Sequence, residues 1–130
     1  MSTVQTIVVA YDDPQSRTLT RAADLAQSLN ATLIVTNVVS ADRESPEGVT
    51  EYGHARLDQA RAYLAERGLE AELVPASGEP ANAIVALAEE RDADLIVVGM
   101  RKKGFFERLV EGSVAQDVMR RATCDVLAVH

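Results

Sequence analysis

The run Leu95-Ile96-Val97-Val98 ends on Gly99, and the chain reaches Gly112-Ser113-Val114 at the head of an amphipathic stretch. An unbroken aliphatic run of this kind describes a strand covered on both faces. A strand end and a helix start that meet above it aim unpaired backbone N–H groups at one spot, where they favour phosphate. Between the two glycines lie Arg101, Lys102, Lys103 and Arg108, four of the thirteen Lys and Arg residues in a chain of net charge −7. A local positive spot on an acidic protein suits a small anion better than a polyanion.

Outward from this segment, apolar runs alternate with amphipathic stretches along the whole chain, the signature of repeated strand–helix units. The other runs are Thr6-Ile7-Val8-Val9-Ala10, Leu33-Ile34-Val35-Thr36-Asn37-Val38-Val39, Ala71-Glu72-Leu73-Val74 and Val126-Leu127-Ala128-Val129. The alternation of Glu70-Ala71-Glu72-Leu73-Val74 places that strand near an edge. The spacing predicts a first helix from about Gln15 to Leu29, with Leu19, Ala22, Ala23, Ala26 and Leu29 inward, Asp12 or Asp13 as its cap and Pro14 in its first turn. A second, from about Val49 to Arg67, buries Leu57, Ala60 and Leu64 and stops at Gly68. A third opens near Pro80 and turns Ala81, Ile84, Leu87 and Ala88 inward before Arg91. The last begins at Ser113, with Val114, Val118, Met119 and Ala122 toward the sheet. Ser40 to Gly48 reads as a loop. Helices joining buried strands imply right-handed crossovers, and hence a three-layer, doubly wound α/β domain with a five-stranded parallel sheet and about four helices. Ligands of such sheets bind beyond the carboxyl ends of the strands where strand order reverses, which selects Ala10-Tyr11-Asp12, Val38-Val39-Ser40 and Gly99 onward.

Composition sets the outer bounds. The 130 residues make one domain, residues 1–130, with no internal repeat or linker, and 47% hydrophobic but 4% aromatic residues mean a core of Val, Leu, Ile and Ala. The acidic balance argues against nucleic acid as a partner. The first residues carry neither a signal sequence nor a membrane span, so a cytoplasmic location is expected. Cys124 is the single cysteine, which excludes an internal disulfide and reads as a small buried residue before a nucleophile. No metal site is expected, and His54 and His130 have no partner at the spacing of a catalytic dyad. The chain also lacks the Walker pattern and the triple glycine of a dinucleotide site.

Several residues carry two readings. Gly112-Ser113 is either a phosphate cradle or a turn glycine with an N-cap. Asp12 either accepts from a base or ribose or caps the first helix. Arg101, two residues beyond Gly99, reads as a ligand contact, whereas Lys103 and Arg108 read as solvated surface. Of the adjacent Phe105 and Phe106, one packs inward and the other covers a pocket or meets a partner.

From Val8-Val9-Ala10-Tyr11-Asp12 to Cys124-Asp125-Val126-Leu127-Ala128-Val129 the chain resembles the universal stress protein family. That family's signature is a glycine, two residues, a second glycine, nine residues, then Gly-Ser or Gly-Thr. Gly99 and Gly112-Ser113 match, and Gly112-Ser113-Val114-Ala115-Gln116-Asp117-Val118 continues the likeness into the helix. Lys102 stands where nucleotide-binding members carry the second glycine, with Gly104 two residues later, and either obstructs the backbone approach or contacts phosphate itself. The resemblance implies an adenine nucleotide α-hydrolase-like fold and a regulatory stress-response protein rather than an enzyme. Such a protein binds ATP or another adenine nucleotide, with or without magnesium, and hydrolyses little or none of it. Adenine and ribose contacts would fall on Ala10, Tyr11, Asp12, Val38 and Gly99, with Arg101 and Lys102 close by, and phosphate contacts on Gly112, Ser113 and Val114. The resemblance also implies a homodimer through Val126, Leu127, Ala128 and Val129. The alternative is a member that has lost nucleotide binding and serves as a dimeric interaction module for another protein.

Overall fold

A computed structural model describes residues 4–12, 17–39, 46–100 and 114–130, with the side chains of 46–52 left out of the description. Among the described residues nine elements alternate: β1 (Thr6–Ala10), α1 (Thr18–Leu29), β2 (Thr32–Val39), α2 (Pro46–Glu66), β3 (Ala71–Ser77), α3 (Pro80–Glu90), β4 (Leu95–Gly99), α4 (Val114–Arg121) and β5 (Asp125–Val129). The five strands form one parallel sheet in the order β3-β2-β1-β4-β5. Strand order therefore reverses between β1 and β4, and a crevice at their carboxyl ends follows from that topology.

Strand side chains alternate between two cores. Ile7, Val9, Leu33, Val35 and Val97 pack with Leu19, Ala22, Ala23 and Ala26 of α1 and Leu57, Ala60 and Leu64 of α2. Val8, Ile34, Ile96 and Val98 pack on the other face with Ala81, Ile84, Leu87 and Ala88 of α3 and Ala115 and Val118 of α4. Consecutive residues of one strand thus feed opposite helix layers, which is why the central runs need apolar residues at every position. Asp94 ties β4 to β1 at the amino ends, its Oδ2 accepting from the N–H groups of Gln5 at 2.8 Å and Thr6 at 3.0 Å. β3 lies at the edge, as its alternation predicts. It runs on to Ser77 through Pro75, whose missing N–H falls on the open side of the edge strand.

Four expectations are corrected. α1 begins at Thr18 with Arg17 at its N-cap position, so Asp12 does not stand at the cap; Asp13 and Pro14 lie outside the described residues. Leu29 is half-buried. α2 starts at Pro46 rather than Val49, so the expected loop cannot extend to Gly48; a proline opening a helix is well placed there. On α4 the residues facing the sheet are Ala115 and Val118, with Ala122 at the margin, while Val114 and Met119 are 41% and 46% exposed. The small Ala115 sits where the helix meets the sheet, and ranking positions by size misses it. Gly68 does end α2 in a left-handed conformation, φ +73°.

Candidate functional site

The carboxyl ends of β2, β1 and β4 carry Val38, Ala10-Tyr11-Asp12 and Gly99, so the sheet brings five predicted residues to one edge. Val114 opens α4 and is exposed. Arg101, Lys102, Gly112 and Ser113, with Lys103, Gly104, Phe105, Phe106 and Arg108, lie outside the described residues.

Each of the five contributes differently. Ala10 and Val38 are half-buried on the α3/α4 face. The Tyr11 ring is buried in the opposite core, its hydroxyl 3.5 Å from Gln59 Oε1, so its side chain is turned away from the crevice. Asp12 follows as an exposed carboxylate just past β1. At Gly99 a Cβ would lie 2.6 Å from Thr18 Oγ1, so the missing side chain lets α1 seat against the end of β4. Reading that glycine from sequence as close approach to a ligand overlooks this neighbour. Beyond it the Met100 N–H donates to the Val129 carbonyl at 2.7 Å, and Arg17 Nη2 donates to the His130 carbonyl at 3.1 Å, which brings a cation of α1 to the same end of the sheet.

The main chain at the end of β1 departs from the regular ladder. Tyr11 N–H donates to the Thr36 carbonyl at 2.8 Å, continuing the β1–β2 pattern. The register nevertheless stops at Ala10↔Thr36. In a parallel ladder the next rung would take Val38 N–H to the Tyr11 carbonyl. That carbonyl instead accepts from Asn37 Nδ2 at 2.8 Å. Thr32 and Thr36 both turn their main chain toward β1, so by strand alternation Val38 does too, and its N–H and C=O project past the end of β1 without engaging it. Asn37 is 1% exposed, and its Oδ1 has no hydrogen-bond partner. Sequence reading passed over Asn37, although a polar residue inside an apolar strand run is a visible signal.

A cavity of about 240 Å³ lies at the other end of the sheet, between the carboxyl ends of α3 and α4, lined among others by Ala88, Glu89, Ile96 and Cys124. Cys124 is half-buried; burial, then the neighbouring Asp125 and Asp94 carboxylates, push its thiol above the ordinary range, which opposes a nucleophilic role. Among the described residues no group of three His, Cys, Asp or Glu side chains is placed to hold a metal, and no helix is long and apolar enough to cross a membrane.

The fold and this crevice define a class, the doubly wound α/β domains that take ligands at a switch point. Within it the match to the universal stress protein family runs over residues 3–130, and the chain belongs to that family. The chain is similar to a universal stress protein solved in complex with cAMP, at 34% identity and TM-score 0.81 over 99% of both chains. It is also similar to the universal stress protein of Archaeoglobus fulgidus in complex with dAMP, at 30% identity and TM-score 0.78 over 97% of this chain and 98% of that one. Universal stress protein YxiE of Bacillus subtilis is 40% identical over 82 residues, 63% of this chain; the aligned part spans only 55% of that relative's length.

Proposed function

We propose that this protein binds an adenine nucleotide at the carboxyl ends of β2, β1 and β4 and acts as a regulatory stress-response protein that hydrolyses little or none of it. The observation that carries the reading is the unengaged main-chain edge of Val38 beyond the last β1–β2 rung. A donor N–H beside an acceptor C=O complements the N1 acceptor and N6 amino donor of adenine, and guanine presents the reverse pattern. The half-buried Ala10 and Val38 side chains give the base an apolar floor, and Asp12 stands past β1 to accept from a ribose hydroxyl. Relatives of closely similar structure were solved with cAMP and dAMP, which supports the same ligand class here. Gly112, Ser113 and Val114, with Arg101, take the phosphates in this reading, with or without magnesium. The protein works in the cytoplasm as a homodimer paired through β5. Isothermal calorimetry with ATP, AMP and cAMP, with and without magnesium, tests the site: binding of adenine nucleotides well above GMP is expected, and no heat at millimolar nucleotide rules the reading out.

Lys102 in place of the second motif glycine favours a second reading, a dimeric interaction module that has lost nucleotide. Replacing it separates the two. If Lys102 obstructs the site, Lys102→Gly creates or strengthens ATP binding; if its ammonium contacts phosphate, Lys102→Gly weakens it.

A further inference from the structure

We propose that Asn37 is a positioning residue which holds the base-recognition edge open by taking the Tyr11 carbonyl in place of Val38 N–H; this rests on the adenine-nucleotide reading of the crevice. The side-chain amide lies on β2 one residue before Val38 and points to the α1/α2 face, away from the crevice, so it acts on the ligand only through the backbone. A carbonyl can only accept, so the group facing Tyr11 at 2.8 Å is the Asn37 amide nitrogen. Held at its N–H by the Thr36 carbonyl and at its carbonyl by Asn37, Tyr11 has both main-chain groups fixed, and with them the peptide plane that leads into Asp12.

The orphaned Oδ1 sharpens the argument. A buried amide that satisfies one end and strands the other is a poor way to fill a core, because the stranded acceptor bears its full desolvation cost. Gly53 of α2 lies nearby, and a Cβ on it would stand 3.9 Å from Oδ1, yet Oδ1 itself has no hydrogen-bond partner. What the amide accomplishes is at its other end, where it ends the β1–β2 ladder one rung early. Without it the Tyr11 carbonyl, already aligned with β2, takes the Val38 N–H and closes the edge to a base.

The test compares wild type with Asn37→Leu, using AMP as the probe, calorimetry for affinity and amide hydrogen exchange at Val38 as a direct view of the rung. The expected result is a folded variant whose AMP affinity falls at least about tenfold and whose Val38 amide, in the absence of nucleotide, is protected at least about tenfold more than in wild type. A merely structural role would lower stability without raising protection at that amide. Asn37→Thr, a β-branched strand former whose hydroxyl is too short to bridge to Tyr11, carries the same two readouts if the leucine is not accommodated. A folded variant that binds AMP within twofold of wild type, with Val38 exchange unchanged, overturns the proposal. If wild type binds none of AMP, ATP and cAMP, the adenine reading falls, and Val38 exchange alone decides whether Asn37 holds the rung open.

Discussion

The Thr18 hydroxyl fills the space that a side chain on Gly99 would need: a Cβ there would stand 2.6 Å from Thr18 Oγ1 and 3.8 Å from Thr18 Cβ. Thr18 is 2% exposed at the first turn of α1, and its branched side chain has few rotamers to escape into. The glycine that ends β4 is thus required by the protein's own packing before any ligand is considered. This contact links the strand end at the switch point to the helix that follows β1.

Gly99→Ala should therefore destabilise the nucleotide-free protein by about 1–3 kcal/mol through overpacking, read as a fall of several degrees in Tm. Thr18→Ala removes the clashing oxygen, so the double variant should recover at least about 1 kcal/mol relative to the sum of the single changes in a double-mutant cycle. Additive losses would mean that the two residues do not meet.

The contrast shows what the sequence makes legible. Strands β1, β2 and β4 stand out because a doubly covered strand must be apolar at each position, and Glu72 marks β3 as an edge for the same reason inverted. The switch point then follows from topology, and with it Ala10, Asp12, Val38 and Gly99. Local signals fail where a tertiary contact decides. Asp12-Asp13-Pro14 has the composition of a helix start, yet α1 opens at Thr18, which is buried against Gly99. The partner of Asn37 is the carbonyl of Tyr11 just past the end of β1, 26 positions away in sequence, which no local window contains.

Gly53 lies inside α2, buried, in a helical conformation; among the described residues Asn37 Oδ1 and Pro75 Cβ, each at 3.9 Å, stand near the Cβ it lacks. Gly53→Ala should raise stability by about 0.5–1 kcal/mol by removing the helix penalty of glycine. Gly53→Ser should match or exceed it despite poorer helix propensity, since a hydroxyl one bond further out reaches the orphaned Oδ1 as a donor. Denaturant melts of both variants check the order. Serine markedly below alanine would show that Oδ1 gains nothing from a donor.

Cys124 should behave as a reluctant thiol. Burial, Asp125 and Asp94 all raise its pKa, so at neutral pH it is protonated and its thiolate appears only above the usual thiol range. Alkylation by iodoacetamide, followed by mass spectrometry, should be slower than for a cysteine in a short peptide at pH 7 and keep accelerating above pH 9. A rate that levels off below about pH 8 would contradict this assignment of charges around the thiol.

Glu79 joins the start of α3 to the end of α4. Its Oε1 accepts from the Asn82 N–H at 2.8 Å as an N-cap and from Arg121 Nη1 at 2.9 Å. The Asn82 N–H first, and the Arg121 guanidinium more weakly, hold its carboxyl below the ordinary glutamate range. A carboxylate with a lowered folded-state pKa binds its proton more readily in the unfolded chain. Its contribution is therefore complete above the ordinary value near 4.5 and is lost as pH falls through the lower folded value. Glu79 is about half exposed, so solvent screening keeps the ion pair small, within about 0–1 kcal/mol. Glu79→Gln retains an acceptor for the cap but loses the charge. It should be slightly less stable than wild type at pH 7, and the gap should narrow as the pH is lowered below the ordinary glutamate range, because the wild-type carboxylate then takes up its proton and loses the charge as well. Urea melts across that range measure it, and a gap that persists unchanged into acid would place the origin in the cap geometry rather than in the charge.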